Sequence, residues 1–203
     1  ATKQEARDQV IDLLEKVGIP NAEQRIDEYS FRLSGGMRQR AMIALALACN
    51  PGLLIADEPT TALDVTTQAQ ILQLMKDLQV EFGMGMMLIT HNLGVVAQMA
   101  DKIIVMYLGK IVEMADTKTL FNDPKHPYTQ ELLRSIPKLS RERSTERLNA
   151  ITGSVPPPFA RPGGCPFHPR CPQAMMGKCD VVEPTQMELE DGRIVSCLLY
   201  EEN

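Results

Sequence analysis

The run Leu53-Leu54-Ile55-Ala56-Asp57-Glu58 decides the fold. Its apolar part lies between the turn Asn50-Pro51-Gly52 and an acidic pair, is too short for a helix and does not alternate with polar residues. That pattern predicts a strand buried on both faces, the usual state of a strand in a parallel sheet. Upstream, Leu33-Ser34-Gly35-Gly36 leads into Met37 to Cys49, whose Ala, Leu and Met content predicts a helix with the glycines at its N-terminal end. Downstream of Pro59 to Asp64, the spacing of Ile71, Leu72, Leu74, Met75 and Leu78 predicts a helix over 66–82, ended by Gly83 and Gly85. A second strand, Met86 to Thr90, runs into His91. Strand, crossover helix and strand form a βαβ unit, which brings both strand ends to one sheet edge, where such sheets bind ligands. Asp57, Glu58 and His91 all fall on that edge.

Farther out, Val10 to Val17 has helical spacing and is stopped by Gly18 and Pro20. Ile103 to Tyr107 and Ile111 to Met114 flank Leu108-Gly109-Lys110, a hairpin expected to finish the same layer. Leu120 to Ile136 reads as helical apart from Pro124 and Pro127. At Ser140 the composition shifts to the mixed-charge stretch Arg141, Glu142, Arg143, Glu146 and Arg147, followed by the stiff Val155-Pro156-Pro157-Pro158 and the turn-forming Pro162-Gly163-Gly164. The expected division is therefore 1–50 for a helical segment with the Ser-Gly-Gly helix, 51–139 for the α/β core, and 140–203 for a linker and a Cys-rich extension.

The whole chain has 203 residues, 44% of them hydrophobic, which is enough for a packed core. Acids outnumber bases 26 to 21, which excludes a general attraction to nucleic acid; a bound phosphate needs a local site. The longest apolar stretches fall far short of the roughly 18 to 20 residues that span a bilayer. Ala1 to Asp8 is polar and lacks the apolar core of a secretory signal, so a reducing cytosol is expected. The five cysteines, an odd count, argue against a disulfide framework.

Successive side chains of a strand point to opposite faces, so Asp57 and Glu58 can take different tasks: one holds Mg²⁺ through its water shell and the other orients an attacking water. The bland alternative is a strand end followed by a turn. His91 is either a donor to a γ-phosphate or an ordinary capping residue. Ser34-Gly35-Gly36 offers N–H groups, a hydroxyl and the positive end of a helix dipole, although the tripeptide alone is usually a loop. Cys165, Cys171, Cys179 and Cys197 are separated by five, seven and seventeen residues. Zinc sites usually contain tighter pairs, and four thiolates suit a 4Fe–4S cluster; zinc and unligated thiols remain as alternatives. His168 is a substitute ligand or a turn residue, and Cys49 reads as a small core side chain.

Four elements occur in order: Leu33-Ser34-Gly35-Gly36-Met37, Leu53 to Glu58, Ala62-Leu63-Asp64 and Thr90-His91. In that order and spacing the chain resembles the ATP-binding subunits of ABC transporters, with their signature motif, Walker B strand, D-loop and switch histidine. The resemblance implies a partial P-loop NTPase-like α/β fold in which Ser34, Gly35 and Gly36 hold the γ-phosphate of ATP bound on an opposing subunit. It also implies that Asp57 supports Mg²⁺, Glu58 polarises the attacking water, His91 contacts the γ-phosphate, and Asp64 links two sites at a dimer interface. Met37 stands where the family more often has Gln. No Gly-x-x-x-x-Gly-Lys-Ser/Thr occurs in the chain, so the phosphate-cradling loop is missing and the chain reads as the C-terminal part of a longer subunit.

Leu120-Phe121-Asn122-Asp123-Pro124, His126-Pro127-Tyr128-Thr129 and the Cys-rich segment from Cys165 to Pro172 narrow the resemblance to dipeptide and oligopeptide importers, with nickel importers sharing much of it. For the four cysteines this resemblance implies a 4Fe–4S cluster. It further implies a heterodimer with a second ATPase subunit, beneath two transmembrane permease subunits fed by an extracytoplasmic binding protein. The location implied is peripheral, at the cytoplasmic face of the plasma membrane. The competing readings are a soluble ABC-type ATPase acting on nucleic acid or ribosomes, and a non-catalytic metal-stabilised docking module.

Overall fold

A computed structural model describes residues 2–136 and 151–201. The mixed-charge stretch from Arg141 to Arg147, expected as a linker, lies outside the described residues. The chain divides into two compact units, 1–99 and 100–203. This boundary follows neither 50/51 nor 139/140, because packing rather than composition sets it.

In the first unit, α1 (Lys3–Lys16) starts at a capping box in which Thr2 Oγ1 accepts from Glu5 N and Glu5 Oε2 accepts from Thr2 N. A short α2 (Ala22–Arg25) and the turn Ser30–Arg32 lead to α3 (Gly35–Leu47). The strand β1 (Leu53–Asp57), helix α4 (Val65–Phe82) and strand β2 (Gly85–Ile89) form the expected βαβ unit, and α5 (Leu93–Met99) closes it. The strands β1 and β2 are parallel, with Asp57 opposite Ile89. Leu54 and Ala56 pack into a core with Val17, just past α1, and with Ile43, Leu47, Ile71, Met75 and Leu78 from α3 and α4.

Only one face of this sheet is covered. Leu53, Ile55, Met87 and Ile89 on the other face are 51%, 59%, 48% and 46% exposed. The sequence predicts a strand buried on both sides, and the chain buries one. An apolar patch of this kind is unusual on a monomer. The chain alone is expected to bind the dye ANS in its native state. An Ile55→Lys, Met87→Lys double variant should lose most of that fluorescence while its urea midpoint moves little, since exposed positions tolerate substitution.

In the second unit, β3 (Lys102–Tyr107) and β4 (Lys110–Asp116) form the expected hairpin, followed by α6 (Thr117–Asn122) and α7 (Pro127–Arg134). The 120–136 segment is thus two helices, broken at the prolines that interrupt its pattern. The hairpin does not extend the β1–β2 sheet as expected. It belongs to a separate sheet of order β3-β4-β6-β5 with β5 (Met187–Glu188) and β6 (Ile194–Val195), and Glu113 pairs with Val195. The Cys-rich segment is therefore stitched to the hairpin rather than appended as an independent extension. Among the described residues no helix is long and apolar enough to cross a membrane.

Candidate functional site

The acidic pair lies where β1 turns away from the sheet. The ladder continues one residue past the strand, with Glu58 N donating to Ile89 O at 2.8 Å, so the ends of β1 and β2 share a corner. Glu58 (φ 48°) and Ala62 (φ 64°) both adopt left-handed backbone conformations that non-glycine residues rarely take and that gather at functional sites. In this turn Glu58 Oε1 lies 2.7 Å from His91 Nδ1, and Thr61 Oγ1 donates to Glu58 Oε2 at 2.7 Å. The hydrogen bonds from His91 and Thr61 hold the Glu58 carboxyl below the usual carboxylate range. With Nδ1–H donated to Glu58, His91 Nε2 is an acceptor in the neutral ring and a donor in the imidazolium, so contact with a phosphate oxygen calls for the latter. Asp57 is exposed, and among the described residues no side chain bonds to its carboxylate.

Ser34 caps α3 and its Oγ accepts from Met37 N at 3.3 Å. This use of an oxygen lone pair leaves the hydroxyl proton available to a ligand. Ser34 and Gly35 are exposed, and no acidic residue lies in the first turn of α3. The helix end therefore presents its N-terminal dipole to solvent with no acidic side chain in its first turn. A Cβ on Gly36 would come within 2.8 Å of Thr67 Cγ2, so this corner fits against α4 only because it is glycine. Asp64 caps that same helix, accepting from Thr67 N at 2.9 Å and Thr67 Oγ1 at 2.6 Å, bonds that keep its carboxyl below the ordinary range. The structure therefore assembles two groups: Glu58, Thr61 and His91 at the strand ends, and Gly35, Gly36, Asp64 and Thr67 where α3 meets the start of α4. The residue sequence reasoning missed is Thr61, whose only sequence signal is its place in the Glu58 turn.

In the second unit, Cys165, Cys171, Cys179 and Cys197 line one cavity of about 10 Å³ together with Phe167 and His126. Burial raises the thiol pKa of Cys165, Cys171 and Cys197, the last to about 11, and the neighbouring cysteines add to each shift. The four sulfurs are therefore close enough to feel one another. Among the described residues, however, no group of three or more His, Cys, Asp or Glu side chains is arranged to hold a metal ion. The four cysteines expected to hold an iron–sulfur cluster or zinc line one cavity, but their side chains are not in ligating geometry. His168 Nδ1 pairs with Cys165 O, a turn contact, and Cys49 is exposed rather than a core residue.

His126, a residue the sequence marks only within a family motif, is buried, and its Nδ1 accepts from Tyr128 N at 3.0 Å as the cap of α7. Burial lowers its pKa to about 4. The unfolded chain, with an ordinary histidine, binds this proton more readily. Its contribution to stability is whole above about pH 6.5 and is lost as the pH falls toward 4, a total of about 3 kcal/mol. Urea titrations followed by tyrosine fluorescence are expected to show that loss in this window, and His126→Asn should flatten it.

Residues 1–61 match the ABC transporter family, and residues 112–179 match the family described as oligopeptide/dipeptide transporter, C-terminal region. The oligopeptide transport ATP-binding protein AppD of Bacillus subtilis is 58% identical over 200 residues, covering 98% of this chain and 60% of that protein. The dipeptide transport ATP-binding protein DppD of Escherichia coli is 52% identical over 195 residues, covering 96% of this chain and 59% of its own. The chain thus spans about 60% of the length of these curated relatives. Among solved structures, cbiO1 of Clostridium perfringens, part of the ABC transporter complex cbiONQ, is 30% identical with a TM-score of 0.54, covering 61% of this chain and 48% of that one. The dimeric ABC transporter cassette MJ0796 is 32% identical with a TM-score of 0.50, covering 58% of this chain and 49% of its own. On these matches residues 1–61 carry the pattern of the ABC transporter family and residues 112–179 that of the oligopeptide/dipeptide transporter C-terminal region, and the chain is similar over nearly all its length to peptide-transport ATP-binding proteins.

Proposed function

We propose that this chain supplies the Mg²⁺-supporting, water-orienting and signature elements of an ATP-hydrolysing site that energises import of di- or oligopeptides. The observation that carries the reading is the Glu58–His91 contact at 2.7 Å, in a strained turn at the end of a parallel strand. Two sequence-distant polar groups meet where a parallel sheet presents ligands. Asp57, exposed one residue earlier, supports Mg²⁺. Glu58 accepts a hydrogen bond from the attacking water, and His91 approaches the γ-phosphate. Ser34 and Gly35 are exposed and Gly36 half-buried against Thr67, so Ser34, Gly35 and Gly36 form the corner that serves the nucleotide of an opposing ATPase subunit, with Asp64 beside them at that interface.

AppD and DppD, named for oligopeptide and dipeptide transport, support peptides as cargo. The partners are a second ATPase subunit and two permease subunits fed by an extracytoplasmic binding protein, with the chain peripheral at the cytoplasmic membrane face. Neither a nucleic-acid ATPase nor a docking module gains support from the matched relatives, which are named as transport proteins. On donor type alone we assign a 4Fe–4S cluster to Cys165, Cys171, Cys179 and Cys197, zinc being the second choice, although they line their cavity without ligating geometry. Such a group would supply a structural cross-link beside the buried core of Phe167, Val195 and Leu198.

The reading is tested by exchanging the aligned 200 residues of Bacillus subtilis AppD for those of this chain. The chimera is expected to hydrolyse ATP and to restore oligopeptide uptake in cells lacking AppD; hydrolysis without uptake refutes the cargo, and no hydrolysis refutes the site. By itself the chain, which contains no Gly-x-x-x-x-Gly-Lys-Ser/Thr, is expected to show no micromolar ATP affinity in calorimetry.

A further inference from the structure

A carboxylate that orients water must be held in one direction, since its two oxygens offer about four lone-pair sites and the side chain turns about its own bonds. Glu58 is held from two different parts of the chain. Its Oε1 lies 2.7 Å from His91 Nδ1, on a ring that follows β2 and whose side chain is 83% exposed. Its Oε2 accepts at 2.7 Å from Thr61 Oγ1, three residues on in the same turn.

The turn fixes where Thr61 sits. Thr61 N donates to Glu58 O at 3.1 Å, so residue 61 bonds residue 58 through its backbone as well as through its hydroxyl. Pro59 and Thr60, between them, are buried and anchor the middle of the turn, while Glu58 and Ala62 on either side take left-handed backbone conformations. A β-branched side chain has few χ1 rotamers, so in this backbone the Thr61 hydroxyl stays on the carboxylate at little cost in side-chain entropy. A serine at the same place has the same donor with more freedom.

We propose that Thr61 is the positioning residue for Glu58: it locks Oε2 from within the turn, so that the lone pairs left on the carboxylate keep one direction toward the attacking water while the His91 ring serves the γ-phosphate. This rests on the role proposed for Glu58 above. Thr61 acts through Glu58 and not on the nucleotide, because its hydroxyl proton is spent on Oε2. Its loss therefore misdirects the water-orienting group and leaves ATP binding in place, and small misplacements of a reacting group are costly in rate.

The test is steady-state ATP hydrolysis by the AppD chimera carrying substitutions at this turn. Thr61→Val keeps the branched shape and loses the donor; it is expected to lower kcat by about 10- to 100-fold with KM for ATP within about threefold of the parent. Thr61→Ser, which keeps the donor, should stay within about threefold in both constants. In a Glu58→Gln chimera followed by single turnover, adding Thr61→Val should cost less than about twofold more, since two residues that act as a unit are not additive. If Val retains the parental kcat, or if Ser falls as far as Val, the hydroxyl does not position Glu58 and the proposal is overturned. A full further loss in the Glu58→Gln background also overturns it, because Thr61 then acts independently of the carboxylate. In each of these cases the role of Glu58 stands; if the unsubstituted chimera hydrolyses no ATP, that role falls and this proposal with it.

Discussion

Replacing Glu58 with Gln in the AppD chimera is expected to lower ATP turnover by roughly 10² to 10⁴-fold, the range associated with a positioned base. The substitution is nearly isosteric. A Gln side chain keeps one carbonyl oxygen to accept from Thr61 or His91, so the strained turn at φ 48° should hold its shape. What disappears is the negative charge, which those two hydrogen bonds keep in place to low pH. Nucleotide affinity should therefore persist while turnover collapses, a split that separates chemistry from binding. Asp57→Asn serves as the contrast, since loss of a Mg²⁺ support should raise the Mg²⁺ concentration needed for turnover. A Glu58→Gln chimera that hydrolyses ATP within threefold of its parent would remove Glu58 from the mechanism.

The largest loss of stability is expected from Glu113→Ala, at a residue without apparent chemistry in the sequence. Glu113 lies in β4 with no exposure, and its two carboxylate oxygens accept from Lys125 N at 2.8 Å and His126 N at 2.9 Å. Those bonds hold the turn that delivers His126 and Pro127 to the start of α7. Hydrogen bonds to a charged group contribute about 1.5 to 3 kcal/mol each, and Ala leaves two backbone N–H groups without acceptors. The expected loss is about 3 to 5 kcal/mol, read from the urea midpoint. Gln, which keeps one acceptor and turns an amide NH₂ toward the other N–H, should lose roughly half as much. An Ala variant within about 1 kcal/mol of the native chain would show that water replaces the carboxylate without penalty.

The two variants differ in how visible their sites were beforehand. Glu58 was legible because local rules converge on it: a short apolar strand ends there, and the βαβ unit dictates that a neighbouring strand ends beside it. Ser34, Gly35 and Gly36 were legible as a helix start, and Asp64 occupies the cap that its position before α4 suggests. Glu113 had no such signal, since a Glu in a hairpin strand normally faces water. Its burial follows from β4 pairing with β6, through Glu113 and Val195, across 82 residues of chain. Strands as short as Met187–Glu188 and Ile194–Val195 carry too few residues for any period to show.

The cysteines fall between these cases. Their number and type suggested a shared site, and all four do line one cavity, but their spacing along the chain could not say whether they would sit at ligating separation.

Residue order alone was enough for α3 and α4, the parallel pair and the corner where Glu58 and His91 meet across 33 residues, because periodicity sets those elements and the crossover of a βαβ unit brings its two strand ends together. Three-dimensional packing was needed for the uncovered face of β1–β2, the sheet that ties the Cys-rich segment to the hairpin, and the burial of Glu113 and His126. Each of these depends on partners tens of residues away or on surface left without one, and chain periodicity carries no record of either.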